Sequence, residues 1–268
     1  MRIVGFLGPS GTFSHLAAQI LVPDGDFLPM SSISDVFDGL SICDAGVVPV
    51  ENSADGAISS TLDALVMEEN VAITKMIMLP IQHSLLVLKD EPIKTVFGHP
   101  QILEHCRGYF KENFSEAELV ATTSSQDAIF KLGSVKNAAM VGPKILASEH
   151  DLIVKAPDIQ DSASNNTTFI QIEKRGATEP LPDCRVSIAF SMKSQPGALY
   201  GILGNLEKNN INLAKILNRP MPFSSSGEQI MFLDFEDYTV ESAKSALSEI
   251  QSQVNFYKFL GSYPVEQA

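Results

Sequence analysis

The sequence predicts an α/β protein, two α/β lobes followed by a smaller module with the element order βαββαβ. Three observations carry this. Short apolar segments alternate with amphipathic helical stretches up to residue 172; two apolar runs adjoin around Leu79-Pro80, where the alternation pauses; and the pattern changes after an aperiodic stretch, 173–183, that holds Lys, Arg, Gly and prolines.

Taken in order, residues 2–7 read as a short buried strand, the turn Gly8-Pro9-Ser10-Gly11-Thr12-Phe13-Ser14 follows, and Leu16, Ala17 and Ile20 mark a helix. Ser32 with Asp35 three positions on is an acidic variant of the capping box, ahead of a helix with Ile33, Val36, Phe37 and Leu40 on one face. Residues 47–50 are the next strand, and Ile58, Leu62, Leu65 and Val66 repeat a helical spacing. The apolar runs 71–79 and 81–88 carry the chain into a second lobe, where strands are expected at 95–97, 119–121 and 138–141 and helices from Pro100, Ser125 and Pro143. Such an order implies parallel sheets. The apolar run 167–172 returns the chain to the first lobe, and a cleft between the lobes is the natural place for a small polar ligand.

Beyond the stretch at 173–183, taken as a linker, 186–192 reads as a strand and 196–208 as a helix with Leu199, Ile202, Leu203 and Leu206 on one face. Strands at 211–217 and 229–235, a helix at 239–253 and a last strand at 256–261 complete a ferredoxin-like plan. That plan hosts many functions and decides none. The expected division is 1–178 for the two-lobed unit, with lobe one at about 1–79 and 165–178 and lobe two at about 80–164, and 184–268 for the C-terminal module.

Composition narrows the function. At 268 residues the chain exceeds the roughly 100 to 200 residues of a usual single core, and 44% apolar with 19% charged residues is ordinary for a globular protein. A net charge of −13 with no basic stripe opposes binding to nucleic acid or anionic lipid, so an anionic substrate must be gathered by local donors. Cys43, Cys106 and Cys184 are widely spaced in apolar surroundings, as for reduced thiols in a cytosolic protein, and form neither a disulfide framework nor a zinc spacing. The N-terminal strand runs straight into a Gly-Pro turn without a signal segment, and no apolar run is long enough to span a bilayer; a cytoplasmic location is expected.

Four segments concentrate chemistry: Gly8 to His15, Pro49-Val50-Glu51-Asn52-Ser53, His99-Pro100-Gln101 and Asn165-Asn166-Thr167-Thr168-Phe169. All but the last follow a predicted parallel strand at its C-terminal end, where open α/β sheets bind ligands. Each also has a plain structural role open to it. The Gly-x-x-Gly turn is turn geometry or an anion cradle, Asn52 and Ser53 are helix caps or ligand contacts, His99 is a hydrogen-bonding partner or a base, and Thr167 is by default a β-branched strand residue. Glu51 has no neighbouring carboxylate in sequence, so no acid/base pair is indicated.

Together, in order and spacing, these segments resemble the motifs of the prephenate dehydratase family. Downstream, Pro196-Gly197-Ala198-Leu199 and Asn212-Leu213-x-Lys215-Ile216-x-x-Arg219-Pro220 resemble the phenylalanine-binding signatures of its ACT regulatory domain. The resemblance covers nearly the whole chain. It implies a two-lobed fold of the type II periplasmic-binding-protein kind with an ACT domain behind it, and conversion of prephenate to phenylpyruvate, carbon dioxide and water. No cofactor or metal is implied, because aromatisation drives the step. By resemblance Thr167 is the hydroxyl that assists departure of the ring hydroxyl, with Asn52 and Gln101 positioning the substrate. Gly11, Thr12, Ser14, Glu51, Ser53, His99, His105 and Phe169 complete the implied substrate site. Gly197, Ala198, Leu199, Asn212, Leu213 and Asn218 form the implied phenylalanine site, in a homodimer or homotetramer without nucleic acid or membrane partners. With no chorismate mutase segment ahead of residue 1, a single dehydratase activity is expected.

Departures from the family pattern sharpen the expectations. Thr168 stands where the family usually has Arg, Gly98 where Ser is common, His105 where Gln is common, Ser124-Ser125 where Ser-Thr is usual, and Leu217-Asn218-Arg219-Pro220 replaces Glu-Ser-Arg-Pro. The lost guanidinium suggests that His105, or a lysine from another segment, supplies a positive partner. Three rival readings stand beside the dehydratase: a solute-binding protein without chemistry, a catalytically weakened amino-acid sensor, and a relative acting on arogenate or decarboxylating prephenate without aromatising it.

Overall fold

The computed structural model describes residues 1–162, 164–174, 176–192, 195–221 and 228–267. Strand β1 (Arg2–Leu7), helix α1 (Phe13–Leu21), β2 (Gly25–Met30), α2 (Ile33–Asp38), β3 (Ala45–Asn52), the short β4 (Gly56–Ala57), α3 (Ser59–Met67) and β5 (Ala72–Pro80) build the first lobe. The helices begin where their caps demand: Thr12 accepts from the His15 N–H and Ser32 from the Asp35 N–H. Strand β2 went unread in the sequence because its run Gly-Asp-Phe-Leu-Pro-Met opens on Gly and Asp and is broken by proline, so no alternation shows. It lies at the sheet edge, where such a strand is tolerated.

The second lobe holds β6 (Ser84–Val87), β7 (Thr95–Gly98), α4 (Pro100–His105), α5 (Arg107–Asn113), β8 (Glu118–Ala121), α6 (Ser125–Ser134), β9 (Ala138–Gly142), α7 (Ile145–Glu149) and β10 (Ile153–Ala156), and β11 (Asn166–Glu173) returns to the first. The expected parallel sheets are mixed instead. β1 runs parallel to β2 and β3, and β7 parallel to β8 and β9, but β11 is antiparallel to β3 and β5, and β6 is antiparallel to β9 and β10. The reason is the double crossing: β5 leads out of the first lobe and β11 leads back beside it, so the two must run in opposite directions.

The C-terminal module comprises β12 (Arg185–Met192), α8 (Ala198–Lys208), β13 (Asn212–Pro220), β14 (Gln229–Glu236), α9 (Val240–Gln253) and β15 (Val254–Tyr263), with sheet order β13-β14-β12-β15. Its first helix starts after Gly197 rather than at Pro196, since Gly197 sits at φ 83° as the residue before the helix, a conformation glycine adopts without penalty. The last strand, β16 (Val265–Gln267), leaves the module and pairs with β5 of the first lobe.

The module does not stand apart. One face of its sheet packs Val186, Ile188, Phe190, Leu233 and Phe235 against α8 and α9. The other places Ala189, Ile230, Phe232, Leu260 and Tyr263 in one apolar cluster with Val48, Val50, Leu62, Leu65, Ile73 and Ile170 of the first lobe. Covered on both faces, β14 shows a continuous apolar run rather than alternation. Gly261 makes the contact close: a Cβ there would lie 2.3 Å from the Ile73 carbonyl oxygen. The cysteines are free, Cys43 and Cys106 are buried, and burial pushes the Cys106 thiol up to about 12.

Candidate active site

Between the lobes lies a cavity of about 490 Å³ lined by Gly8, Thr12, Phe13 and Ser14 from the first turn, Asn52 and Asp55 after β3, His83 at the start of β6, His99, Gln101 and His105 around α4, and Asn165, Thr167 and Phe169 along β11. Thus three of the four sequence segments converge here with the return strand. Among the described residues that line it there is no Lys or Arg; polar side chains, histidines and the head of α1 are the donors available.

The centre of the site is a pair of facing residues. Asn52 and Thr167 are partners in the β3–β11 ladder, and the Asn52 Nδ2 donates to Thr167 Oγ1 at 2.8 Å and to Asn165 Oδ1 at 2.9 Å. The orientation of the amide is fixed by its oxygen, which accepts from the N–H groups of Ala54 (2.8 Å) and Asp55 (3.1 Å). The Thr167 oxygen therefore serves as acceptor inside the ladder, and its proton finds no acceptor among the described residues. With Thr167 only 7% exposed, the hydroxyl is a buried donor turned to the cleft.

The remaining sequence candidates divide. Gln101 donates to Asp55 Oδ2 at 2.8 Å, tying the second lobe to the first across the cavity, while His99 is exposed at its rim and His105 half-buried in its wall. Phe169 is buried beneath Thr167. The first turn offers fewer backbone donors than expected: the Gly8 N–H is spent on Met30 O and the Gly11 N–H on His15 Nδ1, which leaves Phe13 and Ser14 heading α1. Gly11 itself is packed, at φ +77°, with Leu146 of the second lobe where a Cβ would be. Ser53 clasps the return strand through Ser164 O and the Asn166 N–H and lies outside this cavity.

Glu51 requires correction. Adjacent strand residues face opposite ways, so with Asn52 in the cleft Glu51 points to the other side of the sheet, where its Oε2 meets Lys215 Nζ of β13 at 2.6 Å. Thr168, its ladder partner, shares that face. The guanidinium expected at position 168 is therefore absent from the interface with the C-terminal module, not from the cleft. A second cavity of about 330 Å³ lies there, lined by Glu51, Thr168, Arg185, Lys215 and Asp234 above apolar residues of both units. Burial pushes the Asp234 carboxyl up, against a hydrogen bond from Ser187 and the nearby Lys215 and Arg185 charges, which pull it down.

Sequence reasoning passed over His83, whose one signal was a lone histidine inside an apolar run. It is 2% exposed in the cleft wall, stacked on His105 and edge-on to Phe13, and neither ring nitrogen has a partner. Burial, with the His105 charge beside it, holds it at about 4, so the imidazole is neutral.

In the C-terminal module Gly197, Ala198 and Leu199 open α8. Leu213, Ile216 and Asn218 pair with Phe235, Leu233 and Met231, residues of the helix-side cluster, and so face α8 and α9. Asn212 instead pairs with Glu236, and its side chain donates to Asp237 at 3.4 Å. The bulge between Leu213 and Lys215 switches the face, which is why Lys215 reaches the first lobe.

The family described as prephenate dehydratase matches residues 4–177. A bifunctional chorismate mutase/prephenate dehydratase of Aquifex aeolicus is 35% identical over 97% of this chain and 73% of its own length. A prephenate dehydratase of Methanocaldococcus jannaschii is 34% identical over 96% of each. Among solved structures, a prephenate dehydratase of Arthrobacter aurescens in complex with L-Phe superposes with a TM-score of 0.84 at 26% identity, covering 98% of this chain and 89% of that one. A cleft with a threonine hydroxyl aimed into it, and likeness along nearly the whole length, lead to one assignment: the chain belongs to the prephenate dehydratase family.

Proposed function

We propose that this protein converts prephenate to phenylpyruvate in phenylalanine biosynthesis and that phenylalanine inhibits it through an ACT domain at 184–268. The observation that carries the reading is the Asn52–Thr167 bond, which leaves the threonine proton as a buried donor on the cleft floor. The reaction needs little more. The ring carboxylate leaves as carbon dioxide, its C–C electron pair enters the ring, and the ring hydroxyl takes up a proton and departs as water, so that a dianion and a proton become a monoanion, carbon dioxide and water. Thr167 hydrogen-bonds the departing hydroxyl, Asn52 orients Thr167, and Gln101, held by Asp55, closes on the substrate from the second lobe. Carboxylates are received by the head of α1 and the histidines.

Phenylalanine regulation is supported by the L-Phe bound to the Arthrobacter relative and by the turn at the left-handed Gly197 that heads α8, where the Ala198 N–H is already bonded to Gln195 O. Strand β13 is a sheet edge, and Tyr200 (82%) and Ile216 (37%) are exposed beside it, which supports a homodimer or larger homo-oligomer formed through this side. A cytoplasmic site of action fits a biosynthetic enzyme without disulfides, and no described helix is long and apolar enough to cross a membrane.

The test is to incubate the purified protein with prephenate near neutral pH and quantify phenylpyruvate by chromatography, with and without phenylalanine. Product formed by the wild type, lost in Thr167→Ala and reduced by phenylalanine supports the reading. Prephenate binding without product in the folded wild type overturns it in favour of a sensor.

A further inference from the structure

We infer that Lys215 is a positioning residue for the lyase step, holding Glu51 from the C-terminal sheet and through it the Asn52–Thr167 pair in the cleft. This rests on the dehydratase reading and deepens it. Glu51 and Asn52 are consecutive at the end of β3, one facing the interface and the other the substrate. Their ladder partners are Thr168 and Thr167, and the ladder slips register immediately after, between Thr168 and Phe169. The strand end is thus irregular where the catalytic pair sits, and it has a cavity rather than packed side chains behind it. What fixes it from behind is one short ion pair, Lys215 Nζ to Glu51 Oε2 at 2.6 Å, with both side chains half-buried.

Lys215 itself follows the bulge of β13, so its reach is set by that bulge. The other polar ties from the module go elsewhere: Arg219 binds Asp63 and Ser59 of α3, and Lys258 binds the Leu65 and Glu68 carbonyls near the end of α3. Those anchor the module, whereas Lys215 alone among the described ties touches the residue next to Asn52. A shift of β13 on effector binding would reach the catalytic pair by this route, and an effector can act only by binding the two positions of β13 unequally.

The experiment measures kcat, KM and phenylalanine inhibition in full-length Lys215→Met, Lys215→Arg, Lys258→Met and the charge swap Lys215→Glu/Glu51→Lys, with phenylalanine binding followed by calorimetry. Lys215→Met is expected to lose about tenfold in kcat with KM unchanged, within the roughly hundredfold that an ångström of misplacement costs. It should still bind phenylalanine yet respond to it several-fold less. Lys215→Arg and the charge swap should recover most of kcat, and Lys258→Met, at a tie outside both sites, should keep both kcat and inhibition. Unchanged kcat and inhibition in Lys215→Met, or equal losses in Lys258→Met, overturn the inference. Should Lys215→Met fail to fold, the charge swap decides: a folded swap without recovered kcat also overturns it. Absence of turnover in the wild type would instead overturn the dehydratase reading, and turnover without phenylalanine inhibition would leave kcat alone to judge Lys215.

Discussion

Across the cleft, the side-chain ties between the two lobes are sparse: hydrogen bonds from Gln101 to Asp55 and from Gln126 to Ser10 O, and the edge-on contact of Phe13 with His83, around a cavity of about 490 Å³. Behind the first lobe, the C-terminal sheet is joined by a shared apolar cluster, by Lys215, Arg219 and Lys258, and by a strand added to the lobe's own sheet. The same lobe is therefore joined by few contacts on one side and by an apolar core on the other. On the proposed function, a substrate enters and leaves through the first surface, and an effector signal crosses the second. The difference teaches that changes in the cleft should alter rate with little effect on stability, and that changes at the interface, apart from the Lys215–Glu51 pair that abuts the catalytic residues, should do the reverse.

The sharpest way to break that comparison is Thr167→Ala. Losing the proton donor should lower kcat by about 10² to 10⁴, with the urea unfolding midpoint close to wild type. A large loss of stability would show the hydroxyl to be a core group instead.

His83 is the exception that tests the rule, a cleft residue that affects stability. Unfolded, it takes a proton near 6.5; folded, only near about 4. The unfolded state thus binds more protons in this window, so stability is fully present above about pH 6.5 and falls as the pH drops towards 4, by up to about 3 kcal/mol. Urea unfolding at a series of pH values should show this slope, and His83→Phe should flatten it while keeping the ring contacts with Phe13 and His105.

Asn52→Asp sharpens the assignment within the cleft. The carboxylate would still accept from the Ala54 and Asp55 amides, but it would also accept the Thr167 proton and turn it away from the substrate. Steady-state kinetics should show kcat lower by roughly tenfold to a hundredfold, with KM little changed. The smallest effect is expected at the interface. Arg219→Ala breaks a two-pronged bond to Asp63 that is partly exposed, which should cost about 1 kcal/mol in unfolding free energy and leave turnover intact.

Much of this molecule is legible along the chain. The cap at Ser32, the Pro-led helix at Pro100, the two crossings between lobes and the βαββαβ order follow from local chemistry and periodicity. The motifs that named the family also name Asn52 and Thr167, because short-range signals survive as sequence strings. Edge strands β2, β10 and β16 left little trace, being short or interrupted by polar residues.

What only the tertiary structure decided is which way side chains face and what they meet. Glu51 and Thr168 stand next to catalytic candidates in sequence, yet the alternation of a strand sends them to the opposite surface, where Lys215, more than 160 positions away, supplies the charge. His83 acquires its neutrality from burial that no neighbouring residue announces. The sequence by itself determined the elements and the family, because those depend on contacts within a few residues. The partnership between the first lobe and the C-terminal sheet depends on packing between distant segments, which no local pattern encodes.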